Sequence, residues 1–182
     1  MNHAPSPPAV HGPLTDIHID PAHGDDMVTI SGLATTIWRR HYPGIISRKQ
    51  IDYMLKSRYA PDHLQAESVK SGANYLMLRQ GDSAIGFAAL AKADDAPDEL
   101  ILRSFYLDPA LHGRGIGRHF MNHIVTLARN RGYQEITLTV NRRNIKAINF
   151  YFKAGYQIRS AVDIAIGQGF TMNDFIMARR LP

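Results

Sequence analysis

No cysteine occurs among the 182 residues, which removes disulfides, thiolate metal sites and thiol nucleophiles together. No apolar run approaches the roughly 20 residues that a membrane-spanning helix requires. The N-terminal stretch also lacks a basic segment followed by an apolar one, so a soluble, cytoplasmic protein without a membrane partner is expected. Acidic residues are outnumbered. The 16 Asp and Glu against 21 Lys and Arg leave a formal charge of +5 and a pI near 9.6, which favours anionic ligands such as phosphates. Nucleic acid and a nucleotide cofactor both fit that balance. The sequence carries no RNA-recognition aromatic pattern and no long basic stripe interleaved with aromatics, which disfavours nucleic acid. What is present is a globular composition, 45% hydrophobic and 20% charged, long enough to bury roughly two-thirds of the unfolded surface.

Residues 1–13 hold Pro5, Pro7, Pro8 and Pro13 among small polar residues and are read as a flexible tail. Residues 14–182 are read as a single domain. Leu14 to Asp20 alternates apolar and polar residues before Pro21, the pattern of a short edge strand. Met27, Ile30, Ala34, Ile37 and Trp38 recur at helical spacing after Asp25 and Asp26, so a helix is predicted to end near Tyr42, before Pro43. Ser47 caps a second helix to about Ser57, and Pro61 opens a third that Gly72 closes. Asn74 to Arg79 and Ile85 to Lys92 flank Gln80-Gly81-Asp82-Ser83 as a hairpin. Glu99 to Asp108 reads as a central strand. Further on, a helix through Phe120 and Ile124 ends at Arg131-Gly132, a strand runs from Glu135 to Val140, and a helix occupies Asn144 to Ala154. Tyr156 to Ile166 and Phe170 to Arg179 are strands around Gly167-Gln168-Gly169.

The stretch His112-Gly113-Arg114-Gly115-Ile116-Gly117-Arg118 joins the central strand to an amphipathic helix. Helix-start amides lack intrahelical partners and carry positive dipole, and absent side chains admit phosphate oxygens, so the turn is read as an anion cradle. A dinucleotide fingerprint fails because Arg118 stands where its third glycine would be. A P-loop fails for want of Gly-Lys-Ser/Thr. The pattern Arg/Gln-x-x-Gly-x-Gly/Ala is met except at its first position, His112.

Phe105-Tyr106-Leu107-Asp108-Pro109, the glycine turn with its helix, and Asn144-x-x-Ala147-x-x-x-Tyr151-x-Lys153-x-Gly155-Tyr156 follow one another in an order that resembles the GNAT superfamily of N-acetyltransferases. The early segment Ile37-Trp38-Arg39-Arg40-His41-Tyr42 is similar too. The resemblance implies an α/β (α+β) fold with a mixed, mostly antiparallel central sheet flanked by helices and splayed at the cofactor site. It implies acetyl-CoA as acyl donor and direct transfer to a primary amine of a small molecule (polyamine-like, amino acid or antibiotic) or of a peptide. By the same analogy, the main chain of Phe105, Tyr106 and Leu107 holds the pantetheine arm, and the amides from Gly113 to Arg118 hold the pyrophosphate. Asn144 contacts the cofactor, and Tyr151 is the general acid.

A base is harder to assign. Ile101 and Arg103 occupy the stretch where some relatives carry a Glu, leaving Glu99, Asp52 or a water chain. Arg142, Arg143 and Lys146 are candidates for outlying phosphate. Trp38, Tyr42, Tyr53 and Tyr59 are candidates to wall the acceptor pocket, and Asp94, Asp95, Asp98 and Glu99 form an acidic cluster that is a candidate to draw a cation. His119 and His123 share a helix face, but Phe120 stands where a zincin has Glu and no third ligand is apparent, so no metal is expected. A homodimer is compatible with the sequence. The rival reading is a CoA- or nucleotide-binding module, or a basic nucleic-acid-binding one, without acetyl transfer.

Overall fold

The computed structural model describes residues 16–71 and 74–182. The tail read over 1–13, Leu14 and Gly72 lie outside them. Alternation of side chains explains the middle of the sheet. In β2 (Asn74–Gln80) and β3 (Ser83–Lys92), Tyr75, Met77, Phe87 and Ala89 point to one face, while Leu76, Leu78, Ala88 and Leu90 point to the other. All eight are buried, as the period of two requires when both faces are covered.

The first face is covered by α1 (Asp26–His41), α2 (Arg48–Arg58) and α3 (Pro61–Ser71), through Met27, Ile30, Trp38, Met54 and Leu64. Ser47 starts α2 as the sequence predicts, its hydroxyl accepting the Gln50 amide at 3.2 Å. The second face is covered by α4 (Ile116–Asn130) and α5 (Ile145–Lys153), through Phe120, Met121, Ile124, Ile148 and Tyr151.

The remaining strands are β1 (Ile17–Pro21), β4 (Glu99–Leu107), β5 (Glu135–Asn141), β6 (Gln157–Gly167) and β7 (Phe170–Arg180). The sheet order is β1-β2-β3-β4-β5-β7-β6, with β4 in the middle and β1 at an edge, as read from the sequence. Every pairing is antiparallel except β4 with β5. That parallel ladder covers only Glu99↔Glu135 to Ile101↔Thr137. A register shift opposite Ala89 and Leu90 makes Arg103 an extra residue in β4, and such a bulge bends the strand that carries it. From Leu102 onward β4 no longer pairs with β5, which is the splay that the family resemblance implies.

Gly86 of β3 holds this arrangement at close quarters, because a Cβ there would lie 2.5 Å from the Tyr106 carbonyl oxygen. Gly86→Ala is expected to cost about 1–3 kcal/mol through overpacking against the backbone of β4, read as a lower urea midpoint with an unchanged slope.

Candidate active site

Where β4 and β5 part, a cavity of about 980 Å³ opens, walled on one side by Leu102 to Leu107 and on the other by Thr139, Val140 and Asn141. Alternation along β4 sends its side chains to opposite faces. Phe105 lies between the Phe120 and Phe150 rings, at centroid distances of 5.2 and 5.6 Å. Tyr106 faces α1 and α2, with hydroxyl contacts to Tyr59 at 3.4 Å and Tyr42 at 3.5 Å. The strand therefore closes both cores with side chains while its main chain borders the cavity.

A 3-10 turn at Pro109–Leu111, started by Asp108 accepting the Ala110 amide at 2.9 Å, carries the chain from β4 to the glycine turn. Gly113 and Gly115 both have φ of +81°, a left-handed conformation that an L side chain strains to adopt. Gly115 is the N-cap of α4, and the first helical bond at that end runs from the His119 amide to the Gly115 carbonyl. The amides of Ile116, Gly117 and Arg118 precede it and are left without helical partners.

His112, Gly113, Gly115, Gly117 and Arg118 line the cavity. The His112 ring turns back to the Leu107 carbonyl at 3.2 Å. The Ile116 side chain is buried in the core, and Arg114 is exposed outside the cavity wall. A Cβ on Gly117 would meet the Phe150 ring at 3.4 Å, so this glycine lets α4 lie close against α5.

Asn144 caps α5, accepting the Ala147 amide at 3.3 Å and meeting His41 Nε2 at 3.1 Å through the same Oδ1. Its side chain is buried at the cavity wall and ties the end of α1 to the start of α5. Burial lowers the pKa of His41 and the bond to Asn144 opposes that. Tyr151, 8% exposed, also lines the cavity. Of the three consecutive aromatics, Phe150 is half-buried and Phe152 is 46% exposed. Burial pushes the Tyr151 phenol well above its ordinary value of 10, with smaller contributions from Tyr156 and Tyr42. That direction keeps the phenol protonated, with its O–H able to donate a hydrogen bond.

Several expectations need correcting. Glu99 accepts from Thr137 at 2.6 Å and pairs with Arg159, and Asp52 pairs with Arg39 on the surface. Neither lines the cavity. Arg142 is held by Asp163 and the Val162 carbonyl, and Arg143 by the Gly44 carbonyl at 2.8 Å. Of the three cations offered for phosphate, only Lys146 lines the cavity. Trp38, Tyr42 and Tyr59 wall it, whereas Tyr53 is absent from the wall and donates instead to the Ile166 carbonyl. The acidic turn of Asp94, Asp95 and Asp98 lies between β3 and β4 and away from that wall. Among the described residues no group of three His, Asp or Glu is placed to hold a metal, and no helix is long and apolar enough to cross a membrane.

Sequence reasoning missed Asp174. It lies in β7 opposite Asn141 of β5, is 4% exposed, and is the sole carboxylate in the cavity wall among the described residues. One oxygen, Oδ1, has no hydrogen-bond partner. Burial pushes its pKa up to about 6, against the opposing pull of Arg142, Arg58 and a hydrogen bond with Asn141. The only signal available beforehand was an Asp set between Met172 and the apolar run Phe175-Ile176-Met177.

Comparison with known proteins identifies relatives with this arrangement. Residues 35–156 match the family described as Acetyltransferase (GNAT) family. The spermidine N(1)-acetyltransferase of Thermoplasma acidophilum is 27% identical over 160 residues, covering 86% of this chain and 92% of its own. The peptidyl-lysine N-acetyltransferase YjaB of Escherichia coli is 29% identical over 91 residues, 49% of this chain and 54% of its own. Among solved structures, the PaiA N-acetyltransferase of T. acidophilum in complex with coenzyme A superposes with a TM-score of 0.75. It is 25% identical, with 90% of this chain and 98% of that one covered. The ribosomal-protein-S18-alanine N-acetyltransferase of E. coli shares the fold at 19% identity and a TM-score of 0.65, over 91% and 94%.

The buried carboxyl makes stability depend on pH. Between its ordinary value of 3.8 and about 6, folded Asp174 keeps a proton that the unfolded chain has released, so its contribution to stability falls as pH rises through that window. Asp174→Asn is expected to flatten this slope and to be more stable than the wild type above pH 6, measured by urea unfolding at pH 4, 5, 6 and 7.

Proposed function

Because the chain belongs to the Acetyltransferase (GNAT) family, we propose that it transfers an acetyl group from acetyl-CoA to a primary alkylamine, by direct attack while both substrates are bound. The observation that carries this reading is the parting of β4 from β5, which leads straight into the N-terminus of α4. A slender, hydrogen-bonding donor with a polyanionic end fits that channel. The residues present suit it. The amides from Gly113 to Arg118 would receive the pyrophosphate, with Gly113, Gly115 and Gly117 leaving the approach open and Arg118 adding charge. His112 would act there through its main chain, since its ring is turned to Leu107.

Main-chain groups of Phe105, Tyr106 and Leu107 would hold the pantetheine arm, as a neighbouring strand would. The Oδ1 of Asn144 is committed to its cap and to His41, which leaves the Nδ2 hydrogens for the donor. Bound there, the donor supplies the acetyl thioester. Transfer then requires a proton at the departing sulfur. Tyr151 is the general acid of this reading, a buried phenol lining the same cavity and held protonated by its surroundings. With no cysteine in the chain, no thiol relays the acyl group, which favours direct attack.

For the acceptor, a spermidine and a peptidyl lysine both offer a primary amine on an alkyl chain, and two of the relatives carry those names. The longer match is to the first, so a polyamine-like amine leads and a lysine side chain follows.

Tyr151→Phe is expected to lower kcat by about 100-fold or more while calorimetry shows unchanged acetyl-CoA affinity; full activity under chemistry-limited conditions would remove the assigned acid. Replacing Arg118 with Ala is expected to raise the KM for acetyl-CoA and weaken its salt dependence, with kcat for saturated enzyme little altered.

A further inference from the structure

We propose that Asp174 receives the acceptor: its carboxylate pairs with the incoming alkylammonium inside the cavity and takes a proton from it, so that a neutral amine meets the acyl carbon. This rests on the acetyl-transfer reading above and supplies its missing base.

Charge and placement carry the argument. The basic groups at the cavity wall include Arg58, Arg103, Arg118, Lys146 and Lys153, and Asp174 is the one acid among the described residues there. A cationic acceptor therefore has a single point of attraction. A carboxylate 4% exposed with an orphaned Oδ1 is costly, and a cation held against the carboxylate from the cavity would offset that cost. The Nε1 of Trp38, buried at the same wall, also lacks a partner. The Trp38 and Tyr42 rings stack at 4.2 Å, and with half-buried Tyr106 they offer aromatic faces to a cation beside the carboxylate. Asp174 and Tyr151 both line the cavity, together with Tyr42, so the carboxylate and the phenol border one space.

The groups that act on Asp174 come from three further elements: Arg58 at the end of α2, Arg142 after β5, and Tyr42 at the end of α1. Both arginines favour the ionised form, as does Asn141, while burial opposes it. The outcome is a carboxylate that is ionised at neutral pH yet more basic than an ordinary Asp, which narrows the gap to an alkylammonium near 10.

The proton balance closes. The ammonium gives one proton to Asp174, and its freed lone pair forms the C–N bond as the C–S bond breaks. Sulfur takes the Tyr151 proton, and the second proton leaving nitrogen restores the phenol. Asp174 then releases its proton to solvent, one per acetyl group transferred. His41 is the rival base, since it lines the same cavity with its pKa lowered by burial. Its place against Asn144, however, puts it at the donor end.

The test compares wild type, Asp174→Asn, Asp174→Glu and His41→Gln in a thiol-release assay with acetyl-CoA and 1,4-diaminobutane or a lysine peptide. Asp174→Asn is expected to reduce kcat/KM for the amine at least 100-fold, to lose the acidic limb of the pH profile, and to keep wild-type acetyl-CoA affinity by calorimetry. Asp174→Glu is expected to recover activity at least tenfold over the Asn variant. Asp174→Asn within threefold of wild type overturns the proposal, as does loss of activity in His41→Gln alone, and both leave the acetyl-transfer reading intact. A wild type that binds acetyl-CoA but turns over no amine sinks that reading instead. Asp174 is then judged by calorimetry with butylammonium, where equal binding to wild type and Asp174→Asn overturns the site.

Discussion

The structure turns on how early the parallel ladder between β4 and β5 ends. Pairing stops at Ile101↔Thr137, although β4 continues to Leu107 and β5 to Asn141. Sheets ordinarily gain by extending such ladders, so the divergence has to be held open by what packs around it. Phe105 is fixed between Phe120 and Phe150 on one face, and Tyr106 is fixed among Tyr42, Tyr59 and Phe87 on the other. Once the end of β4 is pinned by side chains on both faces, its main chain is left bordering a cavity. The helix that follows begins at the wall of that cavity, which Gly115, Gly117 and Arg118 line.

The cavity wall is uneven in polarity. At the start of α4 stand backbone amides, glycines and Arg118; elsewhere the wall holds Trp38, Tyr42, Tyr59 and Tyr106 and, among the described residues, a single carboxylate. The two portions are built by different parts of the chain. The first comes from one continuous stretch after β4, whereas the second needs α1, α2, β5 and β7 to converge. The bond between His41 and Asn144, at 3.1 Å, ties the end of α1 to the start of α5.

That division explains what could be read from the sequence. The glycine turn, the capping Ser47, the hairpin at Gly81 and the helix through Tyr151 each depend on residues close to one another in the chain, and their boundaries fall within a few residues of those expected. The splay was legible only by family likeness, because a strand's own residues do not say where its neighbour departs. Asp174 was not legible. Its place at the wall depends on the way β7 inserts between β5 and β6, and the groups that act on it, Asn141, Arg142 and Arg58, are remote in sequence. Glu99 and Asp52, the carboxylates that the sequence offers as bases, are paired with Arg159 and Arg39. Arg142 and Arg143 misled for the same reason, since local sequence cannot show the carbonyls at Val162 and Gly44 that hold them.

The interrupted ladder also makes the sheet a seam. Strands β1 to β4 and strands β5, β6 and β7 are joined across it by three register pairs, while every other junction in the sheet has five or more. Any molecule that lies along the opening supplies rungs the polypeptide cannot provide for itself. By linkage, occupancy raises the resistance of the whole chain to unfolding in proportion to the logarithm of ligand concentration once the site is filled. Filling the channel thus stitches the two halves of the sheet together, and the melting temperature becomes a gauge of what the channel accepts.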